Sequence, residues 1–346
     1  MMKALVKAAR GCGNVEIREV PEPVPDPGEV KVEVHASGVC GSDLHIYEGY
    51  FQDILNPPVI MGHEFAGVIS ELGEGVTNFS VGQRVTSETS SITCGDCLFC
   101  RTGNYNLCPT RKGLGYYVNG SFAKYVVVPT RLVHTLPSQT DFQEGALLEP
   151  LSCCVKGVME RISVHARDLV VITGPGLIGL LCLQVALAEG GRVLMVGAAG
   201  DEKRLQLAEK LGSETTLIVG RDNILATVQK YSDQGGADIM IECSGAPAAA
   251  KMGIELLRRL GQYLQMGIFG RSLELSLDQV LMKELTVTGS FGQHWTSWRK
   301  ALQLVEQGRV HLKPLISHVL PLNKWEEAFN MHGSRDGLKV ILTPID

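Results

Sequence analysis

Hydrophobic positions follow two rhythms along the chain. Over the first 150 residues they alternate with polar ones in short runs: "KALVKA", "VEIREV", "EVKVEVHASGV", "EFAGVISELG", "QRVTS" and "FAKYVVVP", separated by Gly and Pro. Period-two alternation in Val-rich runs broken by turn residues predicts short strands, each with one buried face. From about residue 153 the rhythm changes. "DLVVITG" (168–174) is almost wholly apolar, and "LIGLLCLQVALAEG" follows with helical spacing. "RVLMVG" and "DEKRLQLAEKLG" repeat the pair, and "TLIVG", "ADIMIECSG" and "QYLQMGIFG" continue as strands with helical segments between them. Strands that are apolar on both faces and alternate with helices predict a parallel, doubly wound sheet. Beyond about residue 288 the pattern is mixed again, with a helix near "WTSWRKALQLVEQG" and a last strand at "KVILTPI".

Composition narrows this picture. A length of 346 residues suits two domains better than one core. A formal net charge of -5 argues against a nucleic-acid surface as the main partner. No apolar run approaches the roughly 20 residues of a membrane span, so no membrane partner is expected. The opening "MMKALVKAAR" has no long apolar core and no cleavage-site pattern, so no signal peptide is expected. Ten cysteines, clustered in a chain of this kind, fit a reduced cytoplasmic protein that uses thiols as ligands.

The segment "GPGLIG" places Gly174, Gly176 and Gly179 in the spacing G-x-G-x-x-G, between an apolar strand and an apolar helix. The first glycine permits the tight turn. The second lets the backbone approach a pyrophosphate, and the third lets helix pack close to strand. The helix starting at Leu177 and Ile178 then aims amide N–H groups at the phosphates. The acidic residue that usually holds a ribose hydroxyl should end the next strand. That strand closes instead on Gly197-Ala198-Ala199-Gly200, with Asp201 late and Lys203 and Arg204 following. A neutral, roomy tip near cations tips the expectation from NAD towards NADP; the plainer reading makes Lys203 and Arg204 a solvated helix face.

Two groups of side chains suggest metal. Cys94, Cys97, Cys100 and Cys108 have the spacing C-x2-C-x2-C-x7-C. Four thiolates close a tetrahedral zinc site with no open position, the structural type. An iron–sulfur cluster also takes four cysteines, and disulfides between such near neighbours meet poor geometry. The second group is scattered: Cys40, Ser42, Asp43 and His45 in "VCGSDLHIYEG", His63 and Glu64 in "MGHEFAG", and Glu149 in "LLEPLS". Singly, each reads as a core or hydrogen-bonded residue. Together they offer one thiolate, one imidazole and one or two carboxylates, the donor set of an open, catalytic zinc. An open zinc lowers the pKa of a bound hydroxyl, which is what a hydride donor needs, so the dinucleotide turn and this donor set explain each other.

With "CGSDLH", "GHEFAGVISELGEGV", "VGQRV", the four-cysteine lobe, "EPLS", "GPGLIG" and "KELTVTGSF" in that order, essentially the whole chain resembles the zinc-dependent medium-chain alcohol dehydrogenases. Glu64 after the histidine, together with "LLEPLS", resembles the polyol (sorbitol-like) and threonine dehydrogenase branch. The resemblance implies an α/β protein with a GroES-like β-rich catalytic domain at 1–152 and 288–346 and a Rossmann dinucleotide-binding domain at 153–287. It implies one catalytic and one structural zinc per chain. Cys40, His63 and Glu149 match ligand positions of the catalytic one, and Glu64 matches either a direct ligand or an exchangeable carboxylate. Ser42 matches the hydroxyl that relays the substrate proton, and His45 lies where threonine dehydrogenases place a relay histidine. The implied reaction is reversible oxidation of a secondary alcohol, first a polyol, with threonine next and a non-catalytic zinc protein as the rival of another class. A homotetramer is implied as well. Tyr47, Phe51, Tyr116 and Phe291 are candidate pocket residues. Trp295 and Trp298 either anchor the helix that follows or narrow the way to the cofactor. Cys153 and Cys154 are expected as buried thiols, and Cys12, Cys182 and Cys243 as core or turn residues.

Overall fold

The computed structural model describes residues 1–334 and 337–345. The chain divides into two units. One comprises Met1–Pro150, Gln293–Glu306 and Leu312–Asp346; the other comprises Leu151–Gly292 and Gln307–His311.

The first unit is β-rich. Strands Val15–Val20, Met2–Lys7 and Val59–Ile60 form a three-stranded antiparallel sheet in that order. A seven-stranded mixed sheet runs Ile316–Pro321, Lys339–Thr343, Glu29–Gly38, Glu64–Leu72, Arg84–Ser87 and Val133–Thr135, with Tyr125–Pro129 also paired to Glu29–Gly38. The alternation in "EVKVEVHASG" becomes a strand whose Val30, Val32 and Val34 are buried while Lys31 and Glu33 are only partly so. Those three valines pack with Phe65, Ile69, Val85, Val126 and Val128. A second apolar cluster joins Leu5, Val39, Ile46, Phe122, Trp325 and Phe329. The long strand Glu29–Gly38 therefore ends between the two cores and delivers Cys40 and the helix Gly41–Glu48 there.

The second unit holds a six-stranded, wholly parallel sheet: Thr215–Ile218, Arg192–Gly197, Leu169–Thr173, Ala237–Glu242, Leu257–Gln265 and Thr286–Gly289. Numbered along the chain, that order is 3-2-1-4-5-6, the doubly wound dinucleotide-binding arrangement whose ligand site lies where the order reverses. Every residue of Leu169–Thr173 is buried, as an apolar central strand must be. Helices Leu177–Ala188 and Glu202–Lys210 follow the first two strands. The last strand, Thr286–Gly289, crosses the boundary expected at 287/288. Its hydrogen bonding to Leu257–Gln265 carries the chain in this sheet past residue 287, so the unit runs to Gly292. No described helix is long and apolar enough to cross a membrane.

Candidate metal centres and dinucleotide turn

Cys40 caps the N-terminus of helix Gly41–Glu48, and Asp43 closes the cap by accepting the Cys40 N–H at 2.9 Å. Glu64 begins the strand that pairs beside Gly38. His63 precedes it, after Gly62, whose φ of +87° lies in the left-handed region and whose missing side chain leaves room for the Phe122 ring. These local devices bring three donors together: one ligand atom each from Cys40, His63 and Glu64, all within 4.8 Å of one another. Gly38 is part of the arrangement, because a Cβ there would run into the Glu64 carboxylate.

The electrostatics of this site are one-sided. Asp43, Glu64 and Glu149 are all buried, and so is His63. Lys339 is the buried cation among them: its ammonium lies 2.5 Å from Glu64 and donates to the Val39 carbonyl at 2.8 Å. Asp43 Oδ1 lies 3.8 Å from His63 Nδ1, and neither atom has a hydrogen-bond partner among the described residues. Burial pushes the Asp43 carboxyl up to about 6 against the pull of His63. Burial works against a charged His63 ring, but Cys40, Asp43 and Glu149 outweigh it and push the ring up to about 10. Burial likewise raises Glu149. Three buried carboxyl groups and a half-buried thiol around one lysine and one imidazole need further positive charge. A zinc ion fits that deficit and this donor chemistry.

Not every expected residue joins the donors. Glu149, on helix Leu148–Lys156, is buried beside them, but its carboxylate lies outside the 4.8 Å group and hydrogen-bonds to the Gln293 side chain. Gln293 in turn donates to Thr89 Oγ1 at 3.0 Å. Ser42 Oγ lies 3.3 Å from Cys40 Sγ. His45 projects from the same helix with 46% of its side chain exposed, its Nδ1 3.6 Å from Glu48, between the rings of Tyr50 and Phe51 at 5.6 Å each. Tyr116 packs across His63, ring centres 5.0 Å apart. Tyr47 faces away, onto Trp325 and Phe329. Phe291 is exposed in the other unit. Lys339 and Gln293 escape sequence reasoning altogether. A lysine at the start of "KVILT" and a glutamine in "FGQHW" carry no local signal; only the fold places them.

The four cysteines of the lobe also converge, their sulfurs all within 4.8 Å. Backbone N–H groups of Cys97, Cys100 and Cys94 donate to Cys94, Cys97 and Cys108 sulfurs respectively, each at 3.4 Å. Hydrogen bonds from Thr110 and the Cys94 backbone hold the Cys108 thiol down at about 6. Such N–H···S bonds stabilise thiolates, the form that binds metal. The lobe is tied to the sheet by one tyrosine. The Tyr105 hydroxyl donates to buried Glu88 and accepts the Trp295 N–H at 2.6 Å. Glu88 also meets His134 Nε2 at 2.9 Å, and the His134 ring stacks on Trp298 at 4.9 Å. Trp298 is fully buried, so it anchors the helix Trp295–Glu306; Trp295 is exposed.

In the second unit, Gly174 takes φ +85° and sits so close to the next turn that a Cβ would lie 2.7 Å from Ser244 Cα. Gly176 is the helix N-cap, and a Cβ there would project into open space. Leu177, Ile178 and Gly179 form the first helical turn. This is the cradle a pyrophosphate requires. The strand tip differs from the open, neutral one expected. Asp201 folds back so that its carboxylate accepts the Ala198 N–H at 2.9 Å, and its Cβ, with Leu205 and Pro175, packs at 3.1–3.2 Å from where a Gly197 Cβ would stand. Arg204 lies 3.9 Å from Asp201. An acid four residues past the strand reaches its tip because the helix start curls back, which spacing alone does not reveal.

Known proteins resemble this chain over its whole length. Residues 26–138 match the alcohol dehydrogenase GroES-like domain, and residues 178–307 match the zinc-binding dehydrogenase family. A sorbitol dehydrogenase of Halalkalibacterium halodurans is 44% identical over 346 residues, all of both chains. An L-threonine 3-dehydrogenase of Pyrococcus horikoshii is 36% identical over 335 residues, 95% of each chain. The crystal structure of a zinc-binding dehydrogenase from Sinorhizobium meliloti 1021, bound to NADP, superposes with a TM-score of 0.91 at 32% identity over 99% of both chains. A GroES-like unit, a doubly wound parallel sheet and matches of this extent have one meaning: the chain belongs to the zinc-binding medium-chain alcohol dehydrogenases, in the branch that holds the polyol and threonine dehydrogenases.

Proposed function

We propose that this dehydrogenase reversibly oxidises a secondary hydroxyl of a sugar alcohol or related polyol to the ketone, with NAD(P) as hydride acceptor. The convergence of Cys40, His63 and Glu64 amid an excess of buried negative charge carries the proposal. The 44% identity to a sorbitol dehydrogenase supports the substrate class.

Cys40, His63 and Glu64 would hold a catalytic zinc, with Glu149 as the alternative carboxylate, and the four lobe cysteines a structural one. When bound, zinc acidifies a hydroxyl and the nicotinamide takes up hydride. The chain's own residues supply the rest. Asp43, 3.8 Å from His63 Nδ1, and Glu149 place negative charge around the imidazole and so favour a cation bound there. Lys339 fixes Glu64 and neutralises it when it is not a ligand. Ser42, beside Cys40, accepts the substrate proton and passes it to His45, which is exposed enough to exchange with solvent. Tyr116 covers one side of His63 and keeps water from it.

Gly174, Gly176, Leu177, Ile178 and Gly179 would cradle the pyrophosphate, and Gly197 and Arg204 would border the adenosine ribose. The preferred dinucleotide is NADP: Arg204 stands at the tip, and the Asp201 carboxylate is already committed to the Ala198 N–H. L-Threonine is the second reading, favoured by His45 on the helix that carries Cys40 and by the 36% relative. The proposal also has the protein cytoplasmic and a homotetramer; all ten cysteines are free thiols, in keeping with a reducing compartment. Sedimentation of the purified protein tests the tetramer, and a monomer mass would exclude it.

The deciding experiment measures initial rates of NAD and NADP reduction over sugar alcohols, cyclitols, threonine and short secondary alcohols, before and after chelation. Chelator-sensitive turnover of a polyol supports the reading. Turnover of threonine alone transfers it to the second. No turnover with two zincs bound favours a non-catalytic role.

A further inference from the structure

A buried carboxylate outside both metal-donor groups stands at the dinucleotide crevice. Glu242 ends the strand Ala237–Glu242 and is wholly buried. That strand pairs with Leu169–Thr173, where the order of the parallel sheet reverses. One carboxylate oxygen accepts the Ser244 N–H at 2.7 Å, the Ser244 hydroxyl, and the Thr173 hydroxyl at 3.4 Å. The other accepts the Gln265 side-chain amide at 2.8 Å and the Gly245 N–H at 3.2 Å. Each oxygen thus accepts a backbone N–H, an environment that favours the ionised form. No ion pair among the described residues includes Glu242. Neutral dipoles surround a full negative charge.

The same contacts tie the charge to the glycine-rich turn. Ser244, held by Glu242, lies against Gly174, where a Cβ would stand 2.7 Å from Ser244 Cα. On the other side, a Cβ on Gly267 would stand 2.6 Å from Glu242 Oε2. Thr173, which immediately precedes Gly174, donates to the carboxylate directly. A neutral side chain could join these turns without the cost of taking a charge out of water. The charge itself therefore calls for a role.

We propose that the Glu242 carboxylate makes the site prefer the oxidised over the reduced dinucleotide. The inference rests on the reading of the glycine-rich turn as the dinucleotide site. In a doubly wound sheet the dinucleotide lies across the point of reversal, with one half on each side. Gly197 and Arg204 border the adenosine side in that reading, at the tip of the second strand. The nicotinamide half then falls on the side of Ala237–Glu242 and Leu257–Gln265, the strands that Glu242 and Gln265 end. The oxidised nicotinamide ring carries one positive charge and the reduced ring none, while the phosphates are the same in both. A buried negative charge on that side attracts the oxidised ring and leaves the reduced one nearly unaffected. With no cation beside Glu242 to cancel it, the field reaches the ligand. The reduced nucleotide that alcohol oxidation produces is thereby held less tightly than the oxidised one it replaces.

The test is calorimetric titration of the zinc-loaded protein with NAD+, NADH, NADP+ and NADPH, which gives the ratio of oxidised to reduced dissociation constants for each pair. Glu242→Gln removes the charge and keeps the shape. It is expected to raise that ratio at least about threefold, with the loss falling on the oxidised form. Glu242→Asp keeps the charge and is expected to keep the natural ratio, even where both affinities fall. A carboxylate that only holds the turns would move both forms together, so a smaller rise in Glu242→Gln overturns the inference. An Asp variant whose ratio shifts as far as that of Glu242→Gln overturns it too. If Glu242→Gln does not fold, Gln265→Lys takes its place by bringing an ammonium to the carboxylate, and the same rise is expected. A ratio left unchanged there also refutes the role. Natural protein that binds none of the four nucleotides overturns the dinucleotide reading itself, and the inference goes with it.

Discussion

The ion pair of Lys339 and Glu64 shows what one residue contributes at this site. Both are about 1% exposed, and the two meet at 2.5 Å. Burial by itself lowers the lysine, yet Glu64, then Cys40 and Asp43, raise it above its ordinary value. Removing the lysine leaves an uncompensated buried carboxylate. Lys339→Met is therefore expected to cost about 3–5 kcal/mol in a metal-free denaturant titration. A loss under about 1 kcal/mol would mean that the pair contributes no more than an exposed one. On the proposed reading Cys40 sets the chemistry more than the stability. Cys40→Ser is expected to leave the circular dichroism spectrum unchanged, drop bound zinc from two to one per chain and abolish turnover. Retained turnover would remove Cys40 from the mechanism.

At the scale of the element, the lobe at 94–108 and the helix Trp295–Glu306 behave as one piece. Tyr105 joins them through Glu88, His134 and the stacked, fully buried Trp298. The lobe itself has little core: Leu98 and Leu107 are exposed, and Cys94 is too. On the proposed reading, a metal held by its four cysteines supplies the order that its core does not. Cys97→Ser is expected to lose one zinc per chain and to lower the melting temperature by several degrees, with hydride transfer surviving. Unchanged zinc content in that variant would show that the lobe holds no metal.

For the whole molecule, the β-rich unit is written in three stretches of chain and the doubly wound unit interrupts it. Substrate chemistry and cofactor binding are thus assigned to separately built parts, and each is open to change alone. Arg204→Ala, in the second unit, is expected to lower kcat/KM with NADP about tenfold, the worth of one charged hydrogen bond, and to leave NAD rates nearly unchanged. Equal losses with both dinucleotides would place Arg204 in helix stability and undo the preference for NADP.

Periodicity by itself settled much of this. The alternation of runs such as "LVVIT" with helical segments pointed to buried parallel strands, and "GPGLIG" between strand and helix to a tight turn, because local sterics and hydrophobic patterning act over a few residues. The four-cysteine lobe is equally local, its ligands lying within fifteen residues of chain. The second donor group was legible as residue types but not as an arrangement. Cys40 and His63 are 23 positions apart, and what surrounds them comes from farther still: Glu149, Gln293 and Lys339 arrive from the ends of separate strands and helices. Only tertiary structure decided that Glu64 pairs with Lys339, that Glu149 turns to Gln293, and that Asp201 folds back over Gly197. Each depends on long-range packing and on satisfying buried charge, and neither is written in the spacing of neighbours.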